Sequence, residues 1–165
     1  MGKKATKAAD NIFCKARYAA VERDAAFSSR EGTAEIVGVD RTRLARIELG
    51  AIDPYPEEVL ALSEAYHMPE LCNQYCSTIC PIGKLTMTEL NIQEFDRLTL
   101  KVLGSLKNID SIRTRLVAIA EDGVVDKEEY EEFSQVLNSL DKIANNAMAL
   151  KLWAAKYIED KGLDL

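Results

Sequence analysis

The order of apolar and polar positions gives the chain two textures. In the first half, apolar residues come in short helical sets separated by turn-forming residues. From Asn11 to Glu22, Ile12/Phe13, Ala16 and Ala19/Ala20 recur at the spacing of one helix face. "SSRE" predicts the next helix over about 29–37, with Ser28 as cap and Glu31 three residues on, as in a capping box. Gly38 then supplies a turn, Asp40 an N-cap, and a helix over about 41–48 stops before Gly50. Pro56 in a first turn predicts a helix over about 57–66, and Pro69 opens another through the cysteine-bearing stretch.

"CPIGK", 80–84, combines Pro and Gly and reads as a boundary, with 81–88 as a linker. Beyond it the spacing changes. Phe95, Leu98, Val102, Ser105, Ile109, Ile112, Leu116 and Ile119 alternate three and four apart. Phe133, Val136, Leu140, Ile143, Ala147, Leu150, Ala154 and Tyr157 do the same after "EDGV" and a capping box of Asp126 with Glu129. Two such seams predict a long helical hairpin over 89–160, packed at a shallow angle. Gly104 lies within the first long helix, where it costs about 1 kcal/mol relative to Ala and marks a close crossing or a kink. No stretch reads as a strand, so the expected fold class is all-α.

Composition narrows the function classes. The apolar fraction of 47% is ordinary for a globular protein, and no apolar run is long enough to span a membrane. The basic segment expected to be a flexible tail, 1–10, is followed by no apolar core of a secretory signal, so a cytoplasmic protein with reduced cysteines is the expectation. The net charge of −6 is unevenly spread. Residues 1–50 hold ten Lys/Arg against seven Asp/Glu, and the remainder eleven against twenty. A mildly basic module is joined to an acidic one.

The basic module carries its chemistry in "VGVDRTRLARIELG", 37–50. Leu44 and Ile47 give that helix an apolar side, while Arg41, Thr42 and Arg43 crowd its N-terminal end and Arg46 follows on the next turn. Arginine forks match guanine edges and phosphates, and hydroxyls hold phosphates. Two short helices around a glycine turn are the parts of a helix-turn-helix, whose second helix enters the major groove.

"TAEIVGVDRTRLARIELGAIDPYPEEVLALSEAY" resembles the lambda repressor/Cro/XRE-type helix-turn-helix family. The matching positions are Ala34, Gly38, Val39, Asp40, Arg41, Arg43, Leu44, Arg46, Ile47, Glu48, Gly50 and Pro54. The resemblance spans about 11–70 and implies a five-helix DNA-binding domain, here 11–80. It further implies double-stranded DNA as partner and a regulator of transcription such as a repressor. One small motif rarely binds tightly alone, so a homodimer on a two-fold operator is expected, for which the hairpin seams supply a reason. By the same resemblance Arg41, Thr42 and Arg43 contact DNA, Arg30 occupies the family's usual glutamine-type position, and Glu48 and Gly50 are structural. Gly32 and Thr33 stand where the family often has a larger apolar residue, so the helix over 29–37 is expected to pack differently.

Other residues offer competing chemistry. Cys72, Cys76 and Cys80 recur every four positions, with Cys14 the only other cysteine and His67 the only histidine. On an unbroken helix the outer two lie ~12 Å apart, too far to share a zinc, so a Zn or Fe–S site needs unwinding before Cys80 and Cys14 as fourth ligand. Buried structural thiols are the plainer reading, and a redox-labile pair a third. The segment around Gly123, Val125 and Glu129 follows the second half of an EF-hand loop, but Ala118 and Ala120 stand where ligands are needed. With one histidine, no Gly-x-Ser-x-Gly elbow and no phosphate loop, no enzyme is expected. Two readings stand beside the DNA-binding regulator: a protein–protein adaptor or antitoxin-like binder using the acidic hairpin, and a thiol- or metal-responsive regulator.

Overall fold

The computed structural model describes residues 10–121 and 123–161, the side chains to 158. Apart from Asp10, the basic segment 1–10 lies outside the described residues, as does Asp122 of "EDGV". The described residues are all-helical with no strand, and no helix among them is long and apolar enough to cross a membrane.

Contacts divide the chain into two units. One takes the described residues to Glu89 together with those from Ala155, and the other takes Leu90–Ala154. The first holds α1 (Ile12–Ala20), a 3-10 turn (Ala25–Ser28), α2 (Arg30–Val37), α3 (Arg41–Glu48), α4 (Pro56–Tyr66), α5 (Glu70–Thr78) and the short α6 (Gly83–Thr86). Its core draws Phe13, Ala16 and Ala20 from α1, Leu44 and Ile47 from α3, Val59, Leu62 and Tyr66 from α4, and Leu71 and Tyr75 from α5.

Capping explains the helix limits. Asn11 accepts from the amides of Phe13 and Cys14 and opens α1. The cap of α2 is Ser29, which accepts from Gly32 N at 3.0 Å, not Ser28, which the 3-10 turn consumes. Gly38 ends α2 at φ 67°, a left-handed backbone that glycine adopts without strain. Asp40 accepts from Arg43 N at 2.9 Å and starts α3 two residues later.

Gly32 explains the small residues in α2. A β-carbon there would sit 2.5 Å from the carbonyl oxygen of Ala26, so only glycine lets the 3-10 turn lie on the helix. Thr33 is fully buried beside it and donates its hydroxyl to Ser29 O.

The units divide between Glu89 and Leu90, just past the 81–88 segment. Gly83 is buried where a β-carbon would overlap the backbone of Cys76, which clips α6 to α5. Asn73 Nδ2 donates to Thr88 O at 3.1 Å and holds the segment that follows.

In the second unit the first long helix is broken at Lys107–Asn108 into α7 (Phe95–Leu106) and α8 (Ile109–Ile119). Gly104 faces open space, so it marks no close crossing. Asp126 accepts from the amides of Glu128 and Glu129, and Glu129 Oε2 accepts from Asp126 N at 3.3 Å. That reciprocal cap leads into α9 (Tyr130–Lys161).

Helix α9 runs antiparallel to α7 and α8. Trp153 lies on Phe95 at 4.8 Å between ring centroids, Asn146 Nδ2 donates to Lys101 O, and Glu132 pairs with Arg115 at 3.4 Å. Leu98, Ile112, Ile119 and Val136 of the seams are buried. Ile109 and Phe95 of the same seams are exposed.

Candidate nucleic-acid interface

Helix α3 is amphipathic by construction. Leu44, Ile47 and Glu48 are buried against α1 and α2. At 100° per residue, Thr42 and Arg46 then centre the opposite face, Ala45 and Arg43 lie on its two flanks, and Arg41 stands at the helix start on the side of Glu48. Arg41, Thr42 and Arg46 are exposed, and no hydrogen bond or ion pair within the described residues engages their side chains. Ala45 is half-buried.

The other two arginines are committed. Beneath α3, Glu48 accepts from Arg17 Nε at 2.6 Å and Nη2 at 3.1 Å, and from Arg30 Nε at 2.6 Å. Arg17 also donates Nη1 to Phe27 O at 2.8 Å. Burial works against the charged Arg17, but the hydrogen bonds and charge of Glu48 outweigh it, so its proton is held more tightly than in a free arginine. The three side chains carry one net positive charge, and Arg30 is the member that reaches solvent.

On the far flank Arg43 is bidentate to Glu58 of α4: Nε donates to Oε1, and Nη2 to Oε2 at 2.8 Å. Glu58 Oε2 also accepts from Tyr55 N at 2.7 Å, and the Tyr55 ring lies 4.2 Å from the guanidinium carbon. The bond from Arg43 holds the Glu58 carboxyl below its ordinary value despite partial burial, and Glu58 raises Arg43 in turn. Thus Arg30, Arg41, Thr42, Arg43 and Arg46 all lie on α2 or α3, but only Arg41, Thr42 and Arg46 are uncommitted. Sequence reasoning missed Arg17, Tyr55 and Glu58. Arg17 was findable, since with Phe13, Ala16 and Ala20 it completes one helix face.

The cysteines are not gathered. Cys14 is buried on α1, Cys72 and Cys76 are half-buried on α5, and Cys80 follows the end of that helix. None is in a disulfide. Among the described residues no group of three or more His, Cys, Asp or Glu side chains is placed to hold a metal. Burial first, then the neighbouring Cys80 and Cys72, push the Cys76 thiol up, away from the thiolate that metal binding and oxidation need. No family model, no curated protein and no solved structure matches the chain.

Proposed function

We propose that the protein is a sequence-specific DNA-binding regulator of the lambda repressor/Cro/XRE type, with α1–α5 as its reading domain and α3 as the recognition helix. One observation carries the reading. A short helix is docked by Leu44 and Ile47 while Arg41, Thr42 and Arg46 stand exposed and uncommitted. The glycine turn between α2 and α3, with Gly38 in the left-handed region, is the joint such a motif requires. Arg41 and Arg46 supply charge for phosphates and Thr42 a hydroxyl near base edges.

A small recognition motif reads DNA tightly when two copies engage half-sites one turn apart, so the protein acts as a dimer. The second unit offers a face for that purpose: Leu100 and Leu103 of α7 are 68% and 60% exposed. The same face favours a second reading, a protein–protein adaptor, and the commitment of Arg30 and Arg43 to carboxylates trims the charge that DNA binding would use.

Replacing Arg41 and Arg46 together by Ala separates the two readings. Each phosphate contact contributes about 0.9 to the slope of log affinity against log salt, so the pair is worth about thirty-fold at ~150 mM salt. Fluorescence anisotropy with a labelled duplex is expected to show that loss and a slope shallower by about 1.8. Unchanged affinity in a folded variant favours the adaptor.

A further inference from the structure

Arg43 and Arg41 differ in what holds them, and the difference assigns them different work. We propose that Glu58 and Tyr55 are positioning residues that present Arg43 to a base edge, making it a specificity contact, while Arg41 and Arg46 supply sequence-independent affinity. The inference rests on the DNA-reading function proposed above and adds to it the division of labour within the recognition helix.

The geometry follows from the shape of a guanidinium. Glu58 occupies the side edge of Arg43, formed by Nε and Nη2. The end edge, one hydrogen from each terminal nitrogen, is left over, and two parallel hydrogens there match guanine O6 and N7. The Tyr55 ring covers one flat side of the group. A carboxylate along one edge and a ring across one face leave few rotamers, so little freedom remains to be lost on contact. Tyr55 N and Arg43 Nη2 share one oxygen of Glu58, which ties the pair to the first turn of α4 rather than to solvent.

Charge points the same way. The Arg43–Glu58 pair is neutral, so it adds little to counterion release and little to non-specific binding. Arg41 and Arg46 have no such partner among the described residues and keep their full charge for phosphates. A neutral, oriented donor pair discriminates between bases without raising affinity for every sequence.

The test uses the full chain, the duplex it selects from a random pool, all single-base-pair variants of that duplex and a scrambled one, titrated at several salt concentrations. Arg43→Ala is expected to erase discrimination at one base pair of each half-site by about ten-fold, leaving the salt slope and the scrambled duplex nearly unchanged. Glu58→Gln, which keeps an acceptor for Tyr55 N, is expected to weaken discrimination at that same position. It should also tighten scrambled binding and steepen the slope by about 0.9, because Arg43 is released as a free charge. Wild-type melting temperatures show that both variants are folded, and a merely structural Glu58 would not move the salt slope. If Arg43→Ala weakens every duplex alike and flattens the slope by about one, Arg43 is a phosphate contact and the inference is overturned. It is overturned too if neither variant changes binding while the wild type still selects a motif. Failure of the wild type to select any motif removes the DNA-reading function itself, an outcome distinct from both.

Discussion

Glu48→Ala is expected to destabilise the first unit by about 3–5 kcal/mol, because it strands the buried guanidinium of Arg17. Glu48 is fully buried and Arg17 is 3% exposed, so water cannot replace the lost carboxylate. Arg17 would keep its bonds to the carbonyls of Phe27 and Ser28 and its contact with the Tyr18 ring, none of which neutralises its charge. Two comparisons separate charge burial from packing. Arg30→Ala removes the partner that reaches solvent and should cost about 1 kcal/mol or less. Replacing Arg17 and Glu48 together by Met and Leu should recover most of the loss, since the isolated charge is gone. Urea unfolding followed by circular dichroism measures all three. Fluorescence of Trp153, the single tryptophan, reports on the second unit and should barely move. A loss below about 1 kcal/mol for Glu48→Ala would mean that the network does not hold α1, α2 and α3 together.

Leu44→Ala is expected to cost about 2–5 kcal/mol, through lost burial and the cavity left behind. The side chain is fully buried, and α3 spans only Arg41–Glu48, so Leu44 and Ile47 are the bulk of its apolar anchorage. A short helix without its anchor has little helical stability of its own. Amide hydrogen exchange over 41–48 should therefore accelerate more than exchange in α4 or α5. DNA affinity should fall with it, although no outward residue has changed. The Arg41/Arg46 double variant should do the reverse, losing affinity with unfolding unaltered. If exchange rises equally throughout the unit, α3 is not a separately docked element.

The helices of the first unit were legible because their ends are written in local chemistry. Asp40, Gly38 and Gly50 fix α3 within a few residues of themselves. The pattern points to Ser28 as the cap of α2, but Ser29 caps it, since the 3-10 turn that takes Ser28 exists only because Gly32 lets Ala26 approach. The break at Lys107–Asn108 was hidden for another reason: the three-four spacing of apolar residues continues across it, and the seam pulled the reading through.

The site was legible as a face and not as a network. Helical spacing places Thr42 and Arg46 outward, but it does not say that Arg43 meets Glu58 fifteen residues on or that Arg17 meets Glu48 thirty-one residues on. Such pairs depend on how helices pack, which spacing along one helix does not encode. The cysteine spacing predicts one helix face too long for three thiolates to share a metal, and α5 carries Cys72 and Cys76 on successive turns with Cys14 buried on α1.

The claim that α3 reads DNA is tested most directly by selecting from a random double-stranded DNA pool with the full chain at ~150 mM salt, where charge alone holds little. An enriched motif with two-fold symmetry is expected, its half-sites centred about 34–36 Å apart, with the Arg41/Arg46 double variant binding the same motif about thirty-fold more weakly. A folded wild-type protein that enriches no motif would contradict it.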